Sequence, residues 1–269
     1  MQKKEIVLYQ RDIRQVLPKY TDSEYLFILN DLAKGQCYIL PEYFAFHKDL
    51  SSQQDFIEYS KFAYTWLKQL SLQKEAQQTV IIGGSILSER KKKIYNESFV
   101  FYEGKEIASY KKRILFGHEV HVLHKGRKKL FFKHPIQADS WGILICADVF
   151  LRNIFKKHKK ANYIALPTAS PLKDESDEIR NNRDQEIYIT GAKKSGSILF
   201  KCCSVGQVGG TQSNGEHPPK IQGRSLIANS EKILLKAPHI YWTGSLHFHT
   251  QTQEVYLREF EKEPLCLKK

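Results

Sequence analysis

The feature that most constrains this chain is a set of short apolar runs, each too brief to be a helix. They are residues 5–9 (EIVLY), 37–40 (CYIL), 79–84 (TVIIGG), 142–146 (GILIC) and 163–166 (YIAL). Continuous apolar runs of this length are strands, and buried ones where no polar residue alternates. Helical patterns lie between them. Residues 22–34 carry Tyr25, Leu26, Leu29, Leu32 and Ala33 at helical spacing, and residues 52–76 align Phe56, Tyr59, Phe62, Ala63, Trp66, Leu67 and Leu70 along one face. A basic helix is expected near 150–160 and a last long helix over 175–194. Residues 95–110 form a hairpin that turns at Glu103-Gly104-Lys105. Later strands are expected at 197–203, 224–228, 233–236 and 254–260. Strands alternating with helices define an α/β protein. With 269 residues and no repeat, low-complexity tract or linker, the chain is expected to form a single domain over 1–269.

Composition excludes several function classes. Five cysteines with no CxxC pair argue against a disulfide framework, a structural zinc site or a dithiol redox centre. No signal peptide is evident, and no apolar stretch approaches the roughly 18 residues of a membrane span, so a cytoplasmic protein is expected. The glycine-rich stretch 206–219 lacks the Gly-Lys-Ser/Thr ending of a phosphate loop, and no GxGxxG opens a helix. The balance of 42 Lys+Arg against 29 Asp+Glu gives a net charge of +13. Its clusters at 90–93, 111–113, 125–129 and 156–160 are spread over turns and helix faces with little aromatic interleaving, and are read as solvated surface rather than a nucleic-acid face. His118, His121 and His124 recur every third residue, which brings side chains into line only on a 3₁₀ turn, and His247 and His249 lack an obvious carboxylate partner. No metal or organic cofactor is expected.

Three polar residues stand at the ends of apolar strands. Glu42 follows CYIL in LPEYF, Lys112 follows the hairpin in YKKRILF, and Cys146 ends GILIC. In open α/β sheets, ligands gather beyond the carboxyl ends of strands. A thiol, a carboxylate and an ammonium delivered there form an acyl-transfer set of nucleophile, base and oxyanion stabiliser. Each alone has a plain reading: a buried core thiol, a solvated lysine, a glutamate at a helix N-terminus.

The order and flanks of the three segments resemble the nitrilase superfamily, the carbon–nitrogen hydrolases with a Glu-Lys-Cys centre. LPEYF resembles that family's strand-PE motif, the Tyr95-Asn96 to Tyr110-Lys111-Lys112 hairpin its "YN…G…YxK" segment, and WGILICADVF its "GxxICxD" nucleophile segment. Residues 162–171 (NYIALPTASP) and 221–228 (IQGRSLIA) resemble the strands that follow, so the likeness spans about residues 6–235. It implies a four-layer α-β-β-α sandwich and a homodimer. It also implies Glu42 as general base, Lys112 as catalytic lysine and Cys146 as nucleophile. Glu119, seven residues after Lys112, resembles the additional glutamate that orients the lysine or substrate.

On this reading Cys146 attacks a small amide and loses its proton to Glu42, while Lys112 and the backbone N–H of Ala147 bind the oxyanion. Lys112 is also expected to ease formation of the thiolate. Ala147 stands where nitrilases usually carry Trp, which favours amides over nitriles. Asp148 is followed by Val149, Phe150, Leu151 and Arg152 rather than by the family's Arg and Pro-Glu, so the branch stays open. Two alternatives remain: a soluble acyl or amine transferase of the same superfamily, and a catalytically inactive basic binding protein on this fold. Cys37, Cys202 and Cys203 are read as core thiols, and Cys266 as an exposed tail residue.

Overall fold

The computed structural model describes residues 3–47, 49–209 and 220–260, so Cys266 and most of the glycine-rich stretch lie outside the described residues. In chain order the elements are β1 (Glu5–Gln10), α1 (Ser23–Leu32), β2 (Gly35–Ile39), α2 (Gln53–Leu70), β3 (Val80–Ile82), β4 (Ile86–Arg90), β5 (Lys93–Tyr102), β6 (Lys105–Lys111), α3 (Glu119–Val122), β7 (Leu130–Lys133), β8 (Ser140–Ile143) and β9 (Tyr163–Thr168). There follow β10 (Ser170–Pro171), α4 (Asp177–Asp184), α5 (Thr190–Ser195), β11 (Ile198–Cys203), β12 (Gly206–Gln207), β13 (Lys220–Gln222), β14 (Leu226–Ala228), β15 (Ile233–Lys236), β16 (Gly244–His249) and β17 (Val255–Glu259).

Two main sheets result. One has the order β17-β16-β1-β2-β3-β5-β4, with β6 on the other side of β5; the second runs β15-β14-β11-β9-β8-β7. The expected apolar runs supply the parallel centres, β1-β2-β3 in one sheet and β8-β9-β11 in the other. Side-chain alternation then sets the layers. Ile6, Leu8, Cys37, Ile39, Val80 and Ile82 of the first sheet pack with Trp141, Ile143, Tyr163, Ala165, Phe200 and Cys202 of the second. The intervening residues face outward: Val7, Tyr38 and Ile81 pack with Ile28, Leu32, Ala63 and Leu67 of α1 and α2. Leu144, Ile164 and Leu199 pack with Ile154, Phe155, Tyr188 and Ala192. The result is the α-β-β-α sandwich. Each fully buried aliphatic side chain contributes roughly 1.5–3 kcal/mol, so this double burial dominates the stability of the strands.

Three helical expectations change in detail. α2 starts after Ser52, whose hydroxyl accepts from Asp55 N (3.1 Å) while Asp55 Oδ2 accepts from Ser52 N (2.8 Å), and it ends at Leu70 rather than residue 76. Phe62 lies off its buried stripe and is 52% exposed. The last long helix runs from α4 through a π-helical turn (Gln185–Ile189) into α5 and closes at Gly196, whose φ of 70° is the left-handed conformation that ends helices. The basic helix expected near 150–160 does not form. Asn153 takes a φ of 59° and only a single 3₁₀ turn, Lys156–His158, follows. Four lysines crowded into five residues repel one another on a helix, and Asn tolerates the left-handed break. Ile154, Phe155 and His158 point inward while the lysines face solvent.

Candidate active site

Each of the three sequence-predicted residues is set by a strand that runs out. Beyond β2, Leu40 N still donates to Ile82 O (3.0 Å); Pro41 then stops the strand, and Tyr43 N donates to Ser85 O (3.0 Å). This close passage depends on Gly84, at φ 52°, where a Cβ would lie 1.9 Å from the Pro41 carbonyl oxygen. Glu42 therefore projects from a backbone clamped between two chain segments. After β6, Lys112 N donates to Asn96 O (2.8 Å) and Lys112 O accepts from Gly126 N (2.7 Å). After β8, Leu144 N donates to Ala165 O (3.1 Å), and the chain turns sharply at Cys146, whose φ is 44°. Tyr43 is also left-handed, at 57°. Left-handed backbone at non-glycine residues costs free energy and clusters at functional sites.

Asp148 holds the nucleophile turn to the lysine segment. Its Oδ1 accepts from Arg113 N (2.9 Å) and Ile114 N (2.7 Å), and its Oδ2 from Tyr110 Oη (2.7 Å) and Ile145 N (3.1 Å). Burial nonetheless keeps this carboxyl above the usual carboxylate range. Ala147, expected to offer a backbone N–H, is the next residue on the nucleophile turn and is buried.

Glu42, Lys112, Glu119 and Cys146 meet at one place. Lys112 Nζ donates to Glu42 Oε1 (2.7 Å) and to Glu119 Oε2 and Oε1 (2.8 and 3.0 Å). Glu42 and Lys112 are 1% and 2% exposed, so the charges face one another rather than water. Asn96 Nδ2 bridges both carboxylates at 2.9 Å, Ala169 N donates to Glu42 Oε2 (2.8 Å), and Phe116 N to Glu119 Oε2 (2.9 Å). Tyr43 Oη donates to Glu119 Oε1. Cys146 is partly exposed, with Sγ 4.0 Å from Ala169 O, and it feels the charges of Glu42 and Lys112.

Two carboxylates sharing one ammonium titrate apart. Burial raises Glu42, and the neighbouring Glu119 adds to the rise against the pull of Lys112. Burial would raise Glu119 as well, but Lys112, Tyr43 and Phe116 N hold it below its ordinary value. Burial works against the charge on Lys112, yet Glu42 and Glu119 keep its pKa above normal. Glu119 is thus held ionised opposite Lys112, and of the two carboxyls Glu42 holds a proton the more readily. Burial and the charge of Glu42 push the Cys146 thiol up by more than Lys112 draws it down. Lys112 does ease the thiolate as expected, but burial and Glu42 outweigh it, so the surroundings favour the thiol form next to a carboxylate.

Asn96, Tyr43 and the Ala169 N–H were not singled out as functional by sequence. Asn96 and Tyr43 fall within the quoted motifs, but only their convergence on the carboxylates reveals what they do. The histidines are dispersed. His121 and His124 are exposed, whereas His247 is buried with Nδ1 2.8 Å from Glu5 Oε2 and Nε2 3.5 Å from Asp31 Oδ1. Its carboxylate partners come from β1 and α1, which the sequence did not disclose. Among the described residues, no three His, Cys, Asp or Glu side chains are placed to share a metal ion, and no helix is long and apolar enough to cross a membrane.

No protein-family model matches the sequence, and no curated protein matches it. Solved structures do resemble it. The amidase NitN from Nesterenkonia sp. AN1 is 18% identical, with a TM-score of 0.69 over 91% of each chain. Saccharomyces cerevisiae Nit3, a member of branch 10 of the nitrilase superfamily, is 20% identical, with a TM-score of 0.67 over 91% of this chain and 89% of its own. The glutamine-dependent NAD+ synthetase from Acinetobacter baumannii is 18% identical, with a TM-score of 0.70 over 96% of this chain; this chain spans 48% of that one. A variant of the Nesterenkonia amidase, also at 18% identity (TM-score 0.70 over 91% of this chain and 90% of that one), carries the acetamide moiety of fluoroacetamide covalently added at its active-site cysteine. The fold of this chain is that of the nitrilase superfamily.

Proposed function

We propose that the chain, as one catalytic domain, is a carbon–nitrogen hydrolase that cleaves small linear amides through a cysteine thioester. The observation that carries this reading is the surplus carboxylate: Glu42 and Glu119 face one ammonium beside a cysteine on a left-handed turn. The likeness to amidases of the same fold lends it support.

Cys146 Sγ attacks the amide carbonyl as its proton passes to Glu42. The tetrahedral oxyanion is held by Lys112 Nζ and by the N–H of Ala147. Glu42 returns the proton to the nitrogen as the C–N bond breaks, so ammonia or an amine leaves and a thioester remains. Glu42 then takes a proton from water, the resulting hydroxide equivalent attacks the thioester, and the proton returns to sulfur as the acid departs. Glu119, with Asn96 and Tyr43, keeps Lys112 charged and in place.

The test pairs turnover with covalent labelling. Ammonia release would be measured over a panel of short aliphatic amides, and the wild-type protein would be treated with fluoroacetamide and digested for peptide mass spectrometry. Release by the wild type, its loss in Cys146→Ala, and an acetamide adduct on the Cys146 peptide that weakens in Glu42→Gln are the expected results. Turnover that survives Cys146→Ala, or labelling that prefers another cysteine and ignores Glu42, would overturn the reading. Faster product formation with hydroxylamine than with water would point to acyl transfer instead.

A further inference from the structure

The four basic clusters, scattered in sequence, are neighbours in the fold. The tip of the β4–β5 hairpin holds residues 90–93, and His124 N donates to Ile94 O (2.7 Å) just beside it. Lys111 Nζ lies 3.8 Å above the Tyr95 ring, and that ring lies 5.9 Å from the His124 ring. The chain then crosses residues 111–112 so closely that a Cβ on Gly126 would lie 2.1 Å from Lys111 O. It continues through 127–129 into β7, the outer strand of the second sheet. There Phe131 meets His158 of the lysine-rich turn, ring to ring at 4.8 Å, and Lys133 pairs with Ser140, whose hydroxyl bonds Lys160 O (2.5 Å). The clusters do lie on turns, as expected, but those turns adjoin one another.

Two further observations bear on this band. Residues 124–134 and 151–160 contain no Asp or Glu, and the Lys and Arg side chains of 90–93, 125–133 and 156–160 are exposed. Among the described residues they make no ion pair, whereas the ion pairs present lie elsewhere. A strip of one sign raises the local potential and draws anions to it, most strongly at low salt. We propose that this band binds the phosphate backbone of nucleic acid without reading its sequence. Its lysines offer point charges on segments that adjoin in turn, from hairpin tip through crossing segment and sheet edge to the 3₁₀ turn, which suits an extended polyanion. A membrane face would need apolar side chains that insert; Phe131 (40%) lies within the band, and Ile136 (48%) and Phe150 (67%) stand at its borders. The choice of nucleic acid therefore rests on the charge, and anionic vesicles test the other source. The inference is independent of the hydrolase chemistry.

Fluorescence anisotropy with fluorescein-labelled single-stranded and duplex oligonucleotides tests it, on the full chain, across a salt series. A variant combining Lys156→Gln, Lys157→Gln, Lys159→Gln and Lys160→Gln removes one end of the band, and a second combining Lys91→Gln with Lys92→Gln removes the other. A control with Lys61→Gln, Lys68→Gln, Lys74→Gln and Lys105→Gln loses the same four charges as the first from exposed sites off the band. Each lost phosphate contact flattens the log affinity against log salt plot by about 0.7 to 0.9. The proposal expects measurable binding at low salt, a slope flatter by about 3 with at least tenfold weaker binding in the first variant, a smaller loss in the second, and little change in the control. Equal losses in control and band variants, or wild-type affinity in both band variants, would sink it and leave the lysines as guards of an exposed sheet edge. So would sedimentation with phosphatidylserine vesicles in the absence of oligonucleotide binding.

Discussion

Two buried lysines in this molecule keep nearly the same company, and only one of them has a base to spare. Lys112 sits with Glu42, Glu119, Tyr43 and Cys146; Lys201 sits with Asp184, Arg224, Tyr188 and Cys203. At Lys201 a single buried carboxylate serves two cations, and the only other carboxylate near Arg224 among the described residues is the exposed Asp177, at 4.0 Å. Asp184 Oδ1 is 3.3 Å from Lys201 Nζ, and its Oδ2 takes two bonds from Arg224 at 2.7 and 2.9 Å. At Lys112 the ratio is inverted, and Glu42 remains available. The cysteines differ in the same sense. Cys203 is fully buried at the end of β11, whereas Cys146 is partly exposed on a strained turn. Residue types alone do not make a reactive centre; the sign of the leftover charge and the access to the sulfur decide it.

The largest effect that would test this contrast is on the sulfurs. Cys146→Ala should lower amide turnover to background, on the order of 10⁴-fold or more, since removal of a nucleophile forfeits the whole covalent route. Cys203→Ala should leave the rate within about threefold while loosening the core slightly, by about 1 kcal/mol. Parallel ammonia-release assays of both variants decide it; comparable losses would erase the distinction.

Next come the lysines. Lys112→Met leaves two buried carboxylates with no cation, and an uncompensated buried charge costs about 3–5 kcal/mol. Lys201→Met leaves Asp184 with Arg224, a pair still neutral, and should cost only about 1 kcal/mol. Urea unfolding followed by circular dichroism measures both. If Lys201→Met proved the more damaging, the charge count would be the wrong guide.

The outline of this contrast was legible in sequence, and its content was not. Glu42, Lys112 and Cys146 stand out because a polar residue after an apolar strand marks a sheet's rim, and the parallel centres of both sheets followed from the same runs. Strands β4, β7 and β16 were not foreseen. ILSER and LFFK are short and GSLHFH buries a histidine, so local pattern does not distinguish them from loops. Asn96, Tyr43 and Ala169 reach the carboxylates from three places in the chain, and Asp184 meets Lys201 across 17 residues and Arg224 across 40. Which charges share a cavity is a property of tertiary packing, and spacing along the chain does not carry it. The adjacency of the basic clusters was hidden for the same reason, since it runs through Gly126 and the Phe131–His158 contact.

A smaller effect lies in the pH dependence of the surplus carboxylate. In the proposed mechanism Glu42 acts ionised, and its pKa is raised, so kcat/KM should rise through a pH above the usual carboxylate range. Stability moves the other way. A carboxyl with a raised pKa holds its proton more tightly when folded, so the wild type loses stability as pH rises from the ordinary carboxylate range through the raised value. Glu119, whose pKa is depressed, contributes stability above the ordinary range and loses it as pH falls through its own folded value. Glu42→Gln should therefore abolish turnover, while its unfolding midpoint in urea gains on the wild type with rising pH, then levels off. A midpoint difference that does not change with pH would mean that Glu42 carries no burden of charge.

The smallest expected effect separates the two tyrosines. Tyr43 Oη donates to Glu119 and so helps keep that carboxylate ionised as the counter-ion of Lys112. Tyr43→Phe removes one of its several donors, leaving Lys112, Asn96 and Phe116 N, and a hydrogen bond of this kind is worth about 1 kcal/mol. A loss of kcat/KM of about fivefold follows. Because Glu119 then competes less well as the ionised partner, Lys112 is drawn toward Glu42, whose pKa should fall and carry the acid limb of the profile downward. Tyr188 instead offers the face of its ring to Lys201, 4.9 Å from Nζ, and Phe keeps that face, so Tyr188→Phe should leave both the rate and the profile in place. A profile that moved with Tyr188→Phe and stood still with Tyr43→Phe would reverse the assignment of the two lysine clusters.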